Sequence, residues 1–207
     1  MYGENFQSID TKGDLAFSGT VKGKYSEKQM PAFNLNLLVK DAMFKYPDLP
    51  TAVNNINVDL LVDNKDGVIE NTVIDLKKMH LDFGSNPVDA RALITKMYPT
   101  NIDATVKAKL NLAELSKMFP MKGLEMKGNY AVDLSAKGVY DSLKKVIPAV
   151  NASMSLANGY VKSAEFPIPI EDLHFNSTIK NAWGKIQETV INVNDLSMLM
   201  NGEKITA

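Results

Sequence analysis

Apolar and polar residues alternate along most of this chain. The clearest run extends from Ile102 to Leu110, where every second residue is apolar and those between are Asp, Thr or Lys. The same alternation recurs in residues 33–39, 56–62, 130–134, 150–156 and 173–179. Successive side chains of a β-strand point to opposite faces, so the pattern predicts long strands with one apolar and one polar face. Sheets with a single dry face are typically antiparallel.

Short breaks between these runs predict the connections. Residues 64–67 and 181–184, the latter containing Trp183, each end in a glycine that is free to adopt a positive φ, which is typical of hairpin turns. Residues 46–50 and 166–169 carry prolines, which cannot donate to a strand ladder, and they predict loops or sheet edges.

Helical patterning is confined to two short segments. Residues 112–119 follow a possible N-cap, Asn111, and end before Pro120. Residues 142–147 follow Asp141 and end before Pro148. Both are too short to be stable alone, so we expect them to cap an end or an edge of the sheet.

The chain also repeats itself, with an offset of 115 residues that becomes 117 after a short insertion. Aligned pairs include Lys12 and Lys127, Gly13 and Gly128, Gly23 and Gly138, Asn64 and Asn181, and Gly67 and Gly184. We therefore predict two units. Residues 1–120 hold the first β repeat, about 9–92, with a connecting strand and the first short helix; residues 121–207 hold a second, truncated repeat. Because the second copy stops opposite Ala90, we expect the chain to be a segment of a longer repetitive protein.

Together these patterns predict an all-β protein. Long antiparallel strands in meander units should form a duplicated, elongated and twisted sheet or groove, with two short helices.

Composition and charge narrow the possible functions. The formal net charge of -1 offers no basic field for phosphates, which argues against nucleic acid as a partner. The absence of cysteine excludes disulfides and thiolate chemistry. The apolar runs are far shorter than the roughly 18 residues that a membrane-spanning helix needs.

Candidate chemistry is scarce. The sequence contains no nucleophile elbow, phosphate loop, HExxH motif or calcium loop. His80 and His174 each lie between two apolar neighbours, where a solvated strand histidine is the simpler interpretation. We therefore predict a non-enzymatic protein with no cofactor and no metal site. The apolar strand face itself remains as the candidate functional surface.

One stretch, residues 39–50 followed by 53–60, resembles the C-terminal half of AsmA-family proteins of Gram-negative bacteria. The similarity extends through residues 72–76 and 83–87 to 102–104, and the repeat carries it over most of the chain. The resemblance implies a periplasmic location, a parent protein tethered to the inner membrane, and an open β-groove. It also implies that the groove holds or conducts phospholipid acyl chains between the two membranes, or supports outer-membrane assembly.

Two interpretations of the apolar face stay open. It is either an acyl-chain groove or the interior of a closed β-sandwich that serves as a structural or protein-interaction module without a ligand. The candidate lining residues are Ile56, Val58, Leu60, Val62, Met79, Leu81, Phe83, Ile102, Val106, Leu110, Leu173, Phe175, Ile179, Leu196, Met198 and Met200.

Overall fold

A computed structural model describes residues 9–25, 30–47, 50–182 and 184–207. These residues form one antiparallel sheet of eleven strands, which follow one another in the sheet in chain order, and the sheet does not close. The strands are β1 (Asp10–Lys22), β2 (Ala32–Lys45), β3 (Val53–Asn64), β4 (Val73–Phe83), β5 (Asn86–Met97), β6 (Thr100–Asn111), β7 (Leu124–Tyr140), β8 (Ala149–Ser163), β9 (Ile170–Asn181), β10 (Val190–Met200) and β11 (Glu203–Thr206). The all-β prediction with long meander strands is confirmed. The closed sandwich is not the arrangement that the described residues adopt.

The first of the two predicted helices is present as α1 (Leu112–Met118). The side-chain oxygen of Asn111 accepts a hydrogen bond from the Glu114 amide at 3.1 Å, as an N-cap residue should. At the other end, the Phe119 amide donates to the Leu115 carbonyl at 2.8 Å. The helix therefore begins at the predicted residue and ends one residue earlier than predicted, with Phe119 as its C-cap.

The second predicted helix, residues 142–147, is wrong. Asp141 and Val146 exchange two backbone hydrogen bonds of 3.0 Å, so the segment is a closed turn. The Asp141 carboxylate accepts from the Lys144 amide at 3.0 Å, and Lys145 adopts a φ of 55°. Aspartate often bonds locally to the backbone in place of helical pairing, and a positive φ ends a right-handed helix. Two short 3-10 turns occur instead at Ile69–Asn71 and Ile186–Glu188.

Buried asparagines organise the two predicted turns after β3 and β9. Asn64 donates to the Val68 carbonyl at 2.7 Å and to the Thr72 hydroxyl at 2.8 Å, and it accepts from the Gly67 amide at 2.7 Å. Asn181 makes the corresponding three bonds 117 residues later, at 2.6, 2.9 and 2.9 Å. Each connection continues into a 3-10 turn and is therefore longer than a four-residue hairpin. Trp183, Asp48 and Leu49 lie outside the described residues. Residues 166–169 form a loop, as predicted.

Bulges recur at equivalent positions in the two halves of the sheet. Positive φ values occur at Asp41 and Asn55 in the first half and at Asn158 and Asp172 in the second, again 117 residues apart. Asn and Asp tolerate this conformation better than other side chains, and a bulge bends and twists its strand. The offset thus relates β1–β4 to β7–β10. The division of the chain at residue 120 stays a prediction.

The sheet has almost no conventional core. Of the described residues, the buried apolar side chains are Val53, Ala108, Met118, Ala152 and Leu156. The accessible surface is 13874 Å². A compact monomer of the same mass would expose about 9,600 Å². The difference is expected for a single layer whose apolar face has no second layer against it.

Candidate functional site

The candidate site is the apolar face of the sheet, which strand pairing makes continuous. Residues directly opposite one another in an antiparallel pair point to the same face. Following these partners across the sheet gives one unbroken row that crosses ten strands: Leu15, Val39, Val58, Met79, Ala90, Val106, Leu134, Ala152, Ile179 and Ile191. At about 4.8 Å per strand, such a row is about 45 Å long.

The register places all sixteen predicted lining residues on this face, and each of them is half-buried. Those on β3 and β4 meet directly: Val58 lies opposite Met79. On β9, Ile179 lies opposite Ile191, and Phe175 lies opposite Leu156 of β8. Whether lipid covers these side chains stays a prediction.

Several residues of the face were absent from the predicted set. Leu37, Leu134, Met154 and Leu156 show the same alternation in their strands, which was a sufficient signal for them. Leu76 is different, because it lies three positions before Met79 and an even alternation would put the two on opposite faces. A bulge between them puts both on the apolar face. A period of two cannot reveal such a position without the bulge.

One end of the face is covered by protein. Phe119, which follows α1, stacks edge-on against Phe83 of β4 with ring centroids 5.9 Å apart. Met118 and Val53 are each only 2% exposed at this end. Glu114 of α1 accepts hydrogen bonds from Ser85 and Asn86, both at 2.9 Å, and the bond from Ser85 is the main cause that lowers its pKa. Phe83 therefore lies at the end of the sheet that α1 and Phe119 cover. The apolar row through Val106 lies away from this end.

The opposite face carries the charges. Asp103 binds Lys137 at 3.1 Å and Arg91 at 2.9 Å across neighbouring strands, and the hydrogen bond from Lys137 is the first cause that lowers the pKa of Asp103. Lys107 binds Asp133 at 2.8 Å, which raises the pKa of the lysine. These exposed ion pairs indicate a water-facing surface.

A cavity of about 650 Å³ also lies on this polar face, between β5 and β9. Its lining combines the polar residues Asp89, Lys107, Ser153, Ser155, Asn176 and Thr178 with apolar residues that include Ala108, Val132 and Met154.

Neither histidine forms a candidate metal site. His80 lies on the polar face with its Nδ1 2.7 Å from Asp89 and its Nε2 3.6 Å from Asp82. His174 lies opposite Ser197 on the same face. In the described ranges, no three acidic or histidine side chains come together as metal ligands would.

No family model matches this chain, and neither the curated proteins nor the solved structures contain a match. Within the part of the chain that the structure describes, no helix has the length and apolar character needed to cross a membrane.

Proposed function

We propose that the apolar face holds the acyl chains of a phospholipid or related lipid, without enzymatic chemistry. The observation that carries this proposal is the unbroken apolar row across ten strands. Seven of its side chains are half-buried, Leu15 and Ile191 are exposed and Ala152 is buried, and no second layer covers the row among the described residues. The AsmA-family assignment, the periplasmic location, the inner-membrane tether of the parent protein and the role between the two membranes remain predictions that accompany it.

The size of the face supports an apolar occupant. The face is about 45 Å across the strands and about 30 Å along them, from strand spacing and rise, so its projected area is above about 1,000 Å². The largest apolar patch of a typical monomer is about 300–600 Å². A face of this size is therefore expected to bind something that shields it from water.

An acyl chain has suitable chemistry for this role. Transfer of a methylene group out of water stabilises it by about 0.8 kcal/mol, and a chain that lies on an open face loses contact with water on about one side. A chain of about fifteen methylenes then gains about 6 kcal/mol, which corresponds to a dissociation constant of tens of micromolar. The head group can stay in water, and exchange along the row can be rapid because no single position dominates.

Binding can be tested on the whole chain with two measurements. Lipids extracted from the purified protein should include phospholipid at a defined stoichiometry, and a fluorescent fatty acid should bind with saturation in detergent-free buffer. An empty protein that also fails to bind the fatty acid at concentrations up to about 1 mM would contradict the proposal.

A protein-interaction module is the second candidate function. The observation in its favour is the strand edge at β1, where all thirteen residues are exposed.

A further inference from the structure

β1, at the edge of the sheet, is more exposed than β7, the strand inside the sheet that repeats its sequence. Leu15, Phe17 and Val21 point to the apolar face and are 70%, 64% and 65% exposed. Their counterparts in β7, 115 residues later, are half-buried. The difference arises because β7 has a neighbour on both sides, β6 and β8, whereas β1 pairs with β2 alone among the residues that the structure describes.

We propose that the free edge of β1 is a docking site for an extended polypeptide strand that has the residue pattern of β6. The strand would pair antiparallel with β1, in the register that β6 takes on β7. The structure itself shows the occupant of this edge in the second copy: twelve consecutive residues of β6 pair with β7 there without a register shift. This inference concerns a protein partner and does not depend on lipid binding.

The side chains of β1 would accept such a strand on both faces. On the polar face, Lys22 corresponds to Lys137, so it would lie opposite the position of Asp103, which binds Lys137 at 3.1 Å. On the apolar face, Gly19 would lie opposite the position of Val106, and Phe17 opposite the position of Ala108. Large side chains would thus meet small ones, and the apolar row would extend by one strand.

Between Leu15 and Val21 the edge lacks the features that protect free strands, because the charges of β1 lie outside this stretch, at Asp10, Lys12, Asp14 and Lys22. Long edge strands are usually interrupted by proline, charge or bulges, because their unpaired amides and carbonyls bind other strands. β1 contains no proline, and its single register shift lies between Lys12 and Asp14. From Asp14 to Lys22 its pairing with β2 is regular. A regular free edge of this kind is suited to strand addition, in which backbone hydrogen bonds supply affinity and alternate side chains supply specificity.

Cysteine cross-linking can test both the binding and the register, because the chain has no cysteine of its own. Thr20→Cys is placed in the chain, since Thr20 corresponds to Ser135, which lies opposite Thr105. A synthetic peptide of residues 100–111 carries Thr105→Cys. Directly opposite strand residues have their Cβ atoms about 4.5–5.5 Å apart, close enough for a disulfide to form with small adjustments.

We expect this pair to cross-link in a glutathione redox buffer at least tenfold faster than a matched peptide that carries Asn101→Cys. The mismatched thiol lies on the same strand face but four residues away, at about 13 Å. A further peptide with Thr105→Cys and Val106→Pro should lose the cross-link, because proline removes a ladder hydrogen bond. Hydrogen exchange of the wild-type chain with wild-type peptide should slow for β1 amides.

Three results would overturn the proposal. Equal cross-linking rates for the matched and mismatched peptides would show that the register is not specified. Slower hydrogen exchange of β11 amides, with no change in β1, would show that the peptide binds the opposite edge of the sheet. Disulfide-linked dimers of the Thr20→Cys chain that form without peptide, and that the peptide cannot suppress, would show that a second copy occupies the edge.

Discussion

Two neighbouring leucines in β3 offer a sharp test of which face of the sheet binds lipid. Leu60 lies on the apolar face, opposite Leu37 and Leu76. Leu61 lies on the polar face, opposite Asn36 and Asp75. Both side chains are half-buried. Leu60→Asn and Leu61→Asn therefore make the same chemical change, one residue apart, on opposite faces of one strand.

The expected cost in stability follows from the open face. Full burial of a leucine stabilises a protein by about 1.5–3 kcal/mol, so the loss of a half-buried one should cost about 1 kcal/mol in either variant. The new amide of Leu60→Asn can still contact water. In a covered core the same change would leave a cavity costing about 2–5 kcal/mol and a buried amide without a partner, for about 1–3 kcal/mol more. Urea unfolding of the two variants measures this difference.

Lipid binding should separate the two variants. Leu60→Asn removes contact with about two methylenes of an acyl chain, about 0.8 kcal/mol on an open face, so the dissociation constant of a fluorescent fatty acid should rise about fourfold. Leu61→Asn should leave it within twofold. If Leu60→Asn unfolds the chain while Leu61→Asn does not, the apolar face is a sealed core. If both variants bind the fatty acid like the wild type, the apolar face is not the binding surface.

Three further predictions concern the repeated architecture and the polar face. Gly128→Ala should destabilise the chain by about 1–3 kcal/mol more than Gly202→Ala in urea unfolding, because a Cβ at Gly128 meets β8 backbone at 2.9 Å, whereas at Gly202 it meets nothing within 4 Å. Asn64→Ala should lower the free energy of unfolding by about 2–3 kcal/mol, since the residue is 1% exposed and its loss leaves buried backbone groups unpaired; a smaller loss than 1 kcal/mol would contradict this role. The lowered pKa of Asp103 means that its contribution to stability is present above the ordinary carboxyl pKa and is lost as the pH falls through the lowered value; Lys137→Ala should raise the Asp103 pKa measured by NMR, and an unchanged value would refute the pairing.

The alternation of residues was sufficient to predict the class of fold and the composition of each face. Within an uninterrupted strand such as β6, a period of two assigns every side chain to a side. Local signals were also sufficient for α1, where Asn111 and Pro120 mark its limits. They failed for residues 142–147, because the local hydrogen bond of the Asp141 carboxylate and the bridge from Val146 to Lys185 favoured a turn. That bridge joins segments far apart in sequence.

Bulges limited what alternation could predict about the face. Leu76 and Met79 share a side only because the strand is irregular between them, and that irregularity is visible as a register shift against both neighbouring strands. The asparagines and aspartates at positive φ give a weak signal for such positions, since these residues also occupy ordinary turns.

The sequence by itself determined the strands, the duplicated unit and the separation of apolar from polar positions, because these depend on short-range periodicity and on residue identity. Only the tertiary structure decided that eleven strands form one open sheet in place of two packed ones, since alternation is the same in both cases. Strand order and register, which depend on long-range pairing, join the separate apolar positions into one row across the sheet. Within the described part of the chain they also leave the edge of β1 without a neighbour.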